Sequence, residues 1–205
     1  SEGNGTPPGD DLWITYSSNK EDIWVSRIPV PVRSRETKSV HESFEDMEVG
    51  GSITDWNIYS PKWANVSIAS FPSQDNQSLR LEDQDPYDYT KAVRLFPEAK
   101  KAEMKLKFFR SQFSPGSLEI EIQDRQGRRP VRIYLTENGQ LMVADGEKER
   151  IAGHYKAGQW HELSVDVDAA KGWFNLRLDG SEVARRVTFA ESASSVERLS
   201  LRTGA

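Results

Sequence analysis

Hydrophobic and polar residues alternate one by one along much of the chain, which predicts β-strands with one buried and one exposed face. Between residues 104 and 108, methionine, leucine and phenylalanine alternate with lysine. Between residues 118 and 123, leucine and isoleucine alternate with glutamate and glutamine, and the same period runs through 163–167 and 174–178. Because the strands of parallel sheets are buried on both faces, this half-polar pattern favours an antiparallel sheet.

The segment Asn138-Gly139 fixes the register of one predicted strand pair. A two-residue turn would set Leu135 and Leu141 on opposite faces of the sheet. A three-residue loop with the glycine in the left-handed conformation instead pairs Leu135 with Leu141, and Ile133 with Val143. The second register keeps a single apolar face, so we expect the three-residue loop.

Two further turns predict a three-stranded antiparallel meander later in the chain. Pairing Val167 with Phe174 aligns the apolar residues of the two flanking strands. The tight turn expected at Asp179-Gly180 continues the chain into a third strand and places Val183 opposite Leu176.

Strand patterns account for most of the chain, and helix is nearly absent. The best helical candidate, residues 97–102, is too short to be independent. About ten or eleven strands fit an all-β fold, a two-sheet antiparallel β-sandwich of jelly-roll type. Besides the strands above, we expect strands at 39–45, 65–70, 78–82, 91–96 and 195–202.

Composition narrows the classes of partner. The 205 residues are 36% hydrophobic and 10% aromatic, which is enough to build a core. The net charge is −5 and the basic residues are dispersed, so we do not expect nucleic acid as a partner. No apolar run approaches the ~20 residues that cross a bilayer, so we do not expect a membrane partner either. The absence of cysteine excludes disulfides, thiolate metal sites and cysteine nucleophiles.

The sequence divides into an N-terminal segment, residues 1–38, and a sandwich domain, residues 39–205. The first segment combines a polar tail, two strand-like runs at 12–17 and 22–28 that predict a β-hairpin, and a proline-containing linker. An isolated hairpin is marginally stable in water. We therefore expect that it packs on the following domain or, as the interpretation we favour, that it ends a larger upstream sheet.

Two motifs link the sandwich domain to a known superfamily. The segment Gly158-Gln-Trp160-His161 runs into an alternating strand, and the next strand ends in Asp179-Gly180. This pair resembles the signature of concanavalin A-like (laminin G-type) jelly rolls. Residues 42–46 and 78–81 resemble the first strands of carbohydrate-associated sandwiches of that superfamily. The resemblance implies a concanavalin A-like jelly roll over residues 39–205.

The N-terminal segment carries a second resemblance. Residues 11–17 and 19–31 are similar to the closing strands of a β-propeller, as found in bacterial sialidase-like (BNR-type) glycoside-processing proteins. In those chains the last blade leads directly into a C-terminal sandwich. The resemblance implies a catalytic propeller upstream as a partner, and a secreted or periplasmic location. This sequence itself contains no Asp-box repeat.

Acidic residues are densest between Glu82 and Tyr89. Asp83, Asp85 and Asp88 would offer hard oxygen ligands to a structural Ca²⁺, which prefers six to eight oxygens and which sandwiches of the resembled class often carry. The full EF-hand spacing is missing, and a solvated acidic loop is the alternative. Glu45-Asp46 is a second, weaker candidate.

Aromatic residues supply a candidate carbohydrate-binding surface. Flat rings stack on the apolar faces of sugars while polar side chains hydrogen-bond the hydroxyl groups. The alternative is that these rings plug the ends of the sandwich, and Trp56 in particular would pack inside. The residues predicted to bind carbohydrate are Trp56, Tyr59, Trp63, Tyr89 and Arg94.

The alternation also predicts a charged outward surface that would receive an oligosaccharide or simply be solvated. Its expected members are Arg94, Lys105, Lys107, Glu119, Glu121, Arg132, Tyr134, Glu162 and Arg177.

Glu119 and Glu121 share one side of a strand, about 7 Å apart by strand rise. Glycosidases place two carboxylates about 5 to 9 Å apart, so this pair is the candidate for catalysis. Their spacing resembles the E-x-D-x-x-E pattern of laminarinase-type jelly rolls, but Gln123 and Asp124 do not complete it. Exposed glutamates are far commoner than catalytic ones.

The function that fits these observations is a noncatalytic accessory domain of a glycoside hydrolase, which binds glycan, braces the propeller, or does both. We assign no catalytic residue, because none of the three histidines has a serine or cysteine partner in a nucleophile motif. Two alternatives stay open: a free-standing glycoside hydrolase or lyase, and a laminin G-like module that binds protein.

Overall fold

The computed structural model describes residues 12–18, 22–28, 36–111 and 116–204, and within these ranges it contains strands and no helix. The described strands are β1 (Leu12–Ser18), β2 (Asp22–Ile28), β3 (Trp56–Tyr59), β4 (Ala64–Ser70), β5 (Gln77–Asp83), β6 (Lys91–Ala99), β7 (Lys101–Phe109), β8 (Ser117–Gln123), β9 (Val131–Leu135), β10 (Gln140–Asp145), β11 (Lys148–His154), β12 (Trp160–Asp168), β13 (Trp173–Leu178), β14 (Ser181–Thr188) and β15 (Val196–Gly204).

The chain divides into two compact units, Ser1–Glu36 and Thr37–Ala205. Within the first, β1 and β2 pair antiparallel, with Thr15 opposite Val25. The predicted hairpin is therefore confirmed. Its turn and the predicted linker at 29–35 lie outside the described residues.

The second unit is an antiparallel β-sandwich, as predicted. One sheet has seven strands in the order β11-β10-β9-β8-β15-β6-β3, and the other has four in the order β14-β13-β12-β7. The strands β4 and β5 form a separate hairpin. Both sheets contribute to one core, because Ile120 and Ile133 of the larger sheet and Leu163, Val165 and Phe174 of the smaller one belong to the same buried cluster.

The register predicted around Gly139 is confirmed. Leu135 pairs with Leu141, and Ile133 pairs with Val143. Gly139 has a φ of 75°, the left-handed conformation that the three-residue loop requires.

The meander is confirmed except for its last strand. Val167 pairs with Phe174, but Leu176 lies opposite Ala184 rather than Val183. The turn at Asp179-Gly180 has two residues of positive φ, as a tight hairpin requires, and a bulge then adds one residue to β14. This shift places Ala184 in the buried core, where a strict register would have put a larger valine.

Other strand predictions hold with one exception. Residues 65–70, 78–82 and 91–96 lie in β4, β5 and β6, and the strand predicted at 195–202 begins one residue later, at Val196 of β15. Residues 39–45 do not form a strand, because Phe44 has a φ of 64° and its carbonyl accepts a turn hydrogen bond from the Met47 amide. The best helical candidate, residues 97–102, is not helical, since these residues end β6 and begin β7.

The two motifs that resemble laminin G-type domains contact each other. Nδ1 of His161 lies 2.7 Å from Oδ2 of Asp179. The other carboxylate oxygen, Oδ1, accepts a 2.8 Å hydrogen bond from the Glu162 amide. The imidazole also stacks on the Phe108 ring, with centroids 5.4 Å apart. The motif residues thus tie the β13–β14 turn to the start of β12 and have a structural role.

We expect Asp179→Ala to lower the free energy of unfolding by about 1–3 kcal/mol, because it removes the acceptor of these hydrogen bonds. Asp179→Asn is the matched control, since asparagine keeps a side-chain oxygen and tolerates the φ of 50°. Urea unfolding measures both variants. Equal stability of Asp179→Ala and the wild type would contradict the assignment.

The same contact has a pH dependence. Burial raises the pKa of Asp179, but the hydrogen bonds from Glu162 and His161 outweigh burial and hold the pKa below its ordinary value of 3.8. The carboxylate therefore stabilises the fold fully above that value and loses its contribution as pH falls through the lower folded-state pKa. In urea unfolding, we expect the stability difference between the wild type and Asp179→Asn to shrink below about pH 4.

Candidate functional site

Polar side chains project from two different outer faces of the sandwich. Alternation along paired strands puts one group on the seven-stranded sheet and another on the four-stranded sheet. The predicted outward direction is confirmed for these residues, but they lie on two surfaces instead of one. The first group is Glu119, Glu121, Arg132 and Tyr134, and the second is Lys105, Lys107, Glu162 and Arg177.

Residues distant in the sequence meet on the outer face of the seven-stranded sheet. Ser200 pairs with Glu121, and Glu121 pairs with Arg132. One step along the strands, Arg202 pairs with Glu119. Directly paired residues share a face, so these positions form one surface, which we call the arginine face. Its members are Lys91, Glu119, Glu121, Arg132, Tyr134, Glu149, Arg198, Ser200 and Arg202.

Glu121 is buried within this surface and bonded on both oxygens. Its residue exposure is 3%. Oε2 accepts a 2.7 Å hydrogen bond from Nε2 of Gln123, and Oε1 lies 3.4 Å from Nη1 of Arg129. Burial by itself lowers the pKa of Arg129, but the carboxylates of Glu121 and Glu191 outweigh it and hold that pKa above its ordinary value. Glu121 is thus a buried structural carboxylate paired with Arg129, and not an accessible acid.

One end of the arginine face is lined by tyrosine rings. The Arg202 guanidinium lies 4.0 Å from the centroid of the Tyr89 ring, and Tyr89 is 5.2 Å from the Tyr59 ring. The Tyr59 hydroxyl donates to the Asp88 carboxylate at 2.9 Å. Burial and this hydrogen bond raise the pKa of Tyr59 to about 12. Two of the predicted carbohydrate-binding residues, Tyr59 and Tyr89, therefore meet beside Arg202.

Tyr134 lies on the same surface, on the other side of Glu119 from Arg202. The Arg132 guanidinium is 5.3 Å from the centroid of its ring. Burial is the largest cause that raises the pKa of Tyr134; Arg132 opposes the shift and Glu149 adds to it. The phenol is therefore neutral at physiological pH, and Tyr134 is buried within the face, with its hydroxyl oxygen covered.

Several covered polar atoms of the arginine face make no hydrogen bond with the residues that the structure describes. Such groups are rare in folded proteins and each costs about 1–3 kcal/mol. The atoms concerned are Nε of Arg132, Arg198 and Arg202, Oγ of Ser200, Oη of Tyr134 and Oε2 of Glu119. Their concentration on one surface marks it as a place where solvent or a ligand completes the hydrogen bonding.

Trp56 and Arg94 lie on the opposite side of the sheet. They pair with each other, and Arg94 shares its side with the fully buried Ala92. The guanidinium donates to the Asp55 carbonyl at 3.0 Å, and the Trp56 ring packs 5.8 Å from Phe44. The expectation that Arg94 points outward is therefore wrong, because β6 has the opposite alternation to the one expected.

Trp63 stands apart from the arginine face in a loop. Its side chain is 61% exposed, and Nζ of Lys62 lies 5.1 Å from its ring. The Trp63 carbonyl accepts a hydrogen bond from the Gln84 amide, which holds this loop against the acidic segment. Tyr87 in that segment is 96% exposed.

The three aspartates predicted to bind calcium accept hydrogen bonds from separate donors. Asp83 accepts from the Thr203 hydroxyl at 2.6 Å, Asp85 from the Tyr87 amide, and Asp88 from Tyr59. Across the described ranges, no group of three acidic, histidine or cysteine side chains is arranged to hold a metal.

The Glu45 carboxylate, the second candidate, instead accepts a hydrogen bond from the Gln77 amide. The carboxylates do not fit a shared ion in this arrangement, and the calcium site stays a prediction.

Sequence reasoning missed Arg198, Ser200 and Arg202. The signal was present, because Arg198-Leu-Ser-Leu-Arg202 has the same alternation as the other strands. Its position between β8 and β6 is set by long-range pairing that this local pattern does not reveal.

Comparison with known proteins identifies the domain. Residues 56–205 match the family described as the sialidase-like, CBM (carbohydrate-binding module) domain. The chain belongs to this family. All strands of the arginine face lie within the matched range of the sialidase-like CBM domain.

A solved structure described as a sialidase is similar to the whole chain, with 34% identity and a TM-score of 0.88. The chain covers 18% of that protein's length. No curated protein sequence matches.

Two further structures match with TM-scores below 0.5. A Bacillus licheniformis β-glucanase is 10% identical with a TM-score of 0.46, covering 76% of this chain and 81% of its own. Domain 4 of an extracellular arabinanase from Geobacillus stearothermophilus, in complex with arabinotriose, is 14% identical with a TM-score of 0.42, covering 79% and 89%. Neither likeness bears on the site. In the described part of the chain, no helix is of a length and hydrophobicity to span a membrane.

We expect Glu121→Ala to lower the free energy of unfolding by about 1–3 kcal/mol, because Gln123 and Arg129 lose a buried charged partner. Glu119→Ala is the control on the same strand and is expected to have a smaller effect, since Oε2 of Glu119 makes no hydrogen bond with described residues. Denaturant unfolding measures both. A Glu121→Ala variant as stable as the wild type would show that the carboxylate is free rather than structural.

Proposed function

We propose that this chain is a noncatalytic carbohydrate-binding module and that it binds glycan on the arginine face. The observation that carries the proposal is the gathering of covered polar atoms without hydrogen-bond partners on this surface. Membership in the sialidase-like CBM family supports the same class of ligand.

The chemistry of the face suits a sugar. Guanidinium groups donate hydrogen bonds in a fixed fork, and the Glu119 carboxylate accepts hydrogen bonds. A sugar hydroxyl therefore finds a partner both as an acceptor and as a donor. The Tyr59–Tyr89 pair at one end offers aromatic surface for the C–H faces of a sugar ring. Polar side chains beside aromatic rings are the usual composition of such sites.

The noncatalytic part of the proposal rests on Glu121. A glycosidase requires two carboxyl groups that reach the scissile bond. Glu121 is buried and held by Gln123 and Arg129, so it is not placed to act as the second group.

The parent protein is also a proposal. Because the chain spans 18% of the similar sialidase, we propose that it serves as an accessory domain of a larger glycoside hydrolase, and that it acts outside the cytoplasm, where polysaccharide substrates are met. An upstream propeller is the partner that the N-terminal hairpin would join.

The hairpin supports that partner. Its exposed apolar side chains lie on both faces, with Trp13, Ile23 and Val25 on one and Ile14 and Tyr16 on the other. A two-stranded ribbon with two apolar faces is not stable by itself in water and is suited to a position inside a larger sheet structure.

We expect Tyr89→Ala to weaken glycan binding roughly tenfold, because it removes an aromatic surface and the ring that positions Arg202. Titration calorimetry against a panel of neutral and acidic oligosaccharides measures it. Trp173→Ala, on the four-stranded sheet, is the aromatic control and is expected to retain affinity. Failure of the wild type to bind any glycan would refute the proposal and favour the protein-interaction alternative.

We expect the double variant Ile23→Lys, Val25→Lys to reduce self-association of the isolated chain while leaving glycan affinity unchanged. The reason is that both side chains are exposed, at 79% and 60%, and neither belongs to the arginine face. Light scattering and the same titration measure the two effects. Loss of glycan affinity in this variant would show that the hairpin takes part in binding.

A further inference from the structure

Positive charge gathers on the arginine face of a protein whose net charge is −5. Four basic residues lie on this surface: Lys91, Arg132, Arg198 and Arg202. Three carboxylates share it, those of Glu119, Glu121 and Glu149. Glu121 is already paired with Arg129, and Arg198 lies 3.8 Å from Glu197, so four cations stand against three remaining anions, Glu119, Glu149 and Glu197.

Arg198 and Arg202 are each held by contacts within the domain and are partly accessible. Arg198 donates from Nη2 to the Arg125 carbonyl at 2.8 Å and lies 3.8 Å from Oε1 of Glu197, and its side chain is 32% exposed. Arg202 lies against Tyr89, with Nη1 3.9 Å from Oε2 of Glu119, and is 34% exposed. Each guanidinium therefore presents part of its edge to solvent, while its Nε is covered.

Ser200 lies between these two arginines on β15 and is fully buried. Two-residue spacing on a strand places all three side chains on the same face. The Ser200 hydroxyl makes no hydrogen bond with the described residues, although Arg198 and Arg202 flank it on β15. A hydroxyl with a purely structural role would be expected to have a partner.

The unbonded atoms are mostly donors. Nε of Arg132, Arg198 and Arg202 donates only, the hydroxyls of Ser200 and Tyr134 both donate and accept, and Oε2 of Glu119 accepts only. An ionised carboxylate or sulfate is a pure acceptor, and arginine binds such groups with short bidentate hydrogen bonds. An anion therefore supplies what this surface lacks, whereas a neutral hydroxyl supplies only part of it.

We infer that the arginine face selects an anionic glycan, whose carboxylate or sulfate groups are bound by Arg132, Arg198 and Arg202 once the side chains that cover their Nε atoms move aside. This inference rests on the proposed function, since it names the class of sugar for the same surface. Ser200 forms the floor of the site between Arg198 and Arg202, and its hydroxyl donates to the bound anion.

The test compares matched pairs of probes on the full chain by titration calorimetry. Two pairs test a carboxylate: sialyllactose against lactose, and an oligogalacturonate against a galacto-oligosaccharide. The third pair, dextran sulfate against dextran, tests a sulfate. We expect at least one acidic probe to bind roughly tenfold tighter than its neutral counterpart, and its affinity to fall as salt is raised from about 50 to 300 mM.

Variants locate the effect. We expect Arg202→Gln and Arg198→Gln each to remove most of the preference for the acidic probe. Arg177→Gln is the matched control, because Arg177 is an outward arginine of the four-stranded sheet. We expect Ser200→Ala to weaken binding of the acidic probe without lowering the melting temperature, because it deletes a buried hydroxyl that has no partner among the described residues.

The outcomes separate the inference from the proposed function. Equal affinity for acidic and neutral probes would overturn the anionic inference and leave carbohydrate binding standing. An effect of Arg177→Gln as large as that of Arg202→Gln would overturn its location. No detectable binding of any probe would overturn the proposed function together with the inference. A melting temperature lowered by Ser200→Ala would show that the hydroxyl stabilises the fold rather than serves the ligand.

Discussion

The strict two-residue period of an antiparallel strand is the constraint on which the structure depends. It requires that each strand of the larger sheet bury one set of side chains and present the other. On β8, Ile120 and Ile122 fill the core while Glu119 and Glu121 face away from it. Because the core is shared with the smaller sheet, the buried set cannot change without unfolding the domain. The outer side chains are not constrained by the core and can serve in binding, and on this sheet they include arginine, serine and tyrosine.

Much of the fold followed from local sequence. The alternation predicted the strands, and the pairings of Leu135 with Leu141 and Val167 with Phe174 followed from keeping apolar residues on one face. The two fold predictions that were wrong also have local causes in the backbone. Ala184 replaces Val183 opposite Leu176 through a bulge, and residues 39–45 are not a strand because Phe44 adopts a positive φ. Alternation alone reveals neither feature.

The site could be predicted only in part, because it is assembled by pairing across the sheet. Glu119, Glu121, Arg132 and Tyr134 were expected to face outward, and they do. Ser200 reaches Glu121 through the pairing of β15 with β8, across nearly eighty positions of chain, and no local signal specifies that pairing. For the same reason, the sequence did not show that Arg94 lies on the core side or that the lysines of β7 belong to the other sheet.

The central claim is that ligand binds on the outer face of the seven-stranded sheet. Backbone amide chemical shifts, recorded while an acidic oligosaccharide is added to the full chain, test it most directly. The account predicts that the perturbed amides cluster in β8, β9 and β15, on both sides of Ser200. Perturbations confined to β7, β12 and β13 would contradict it.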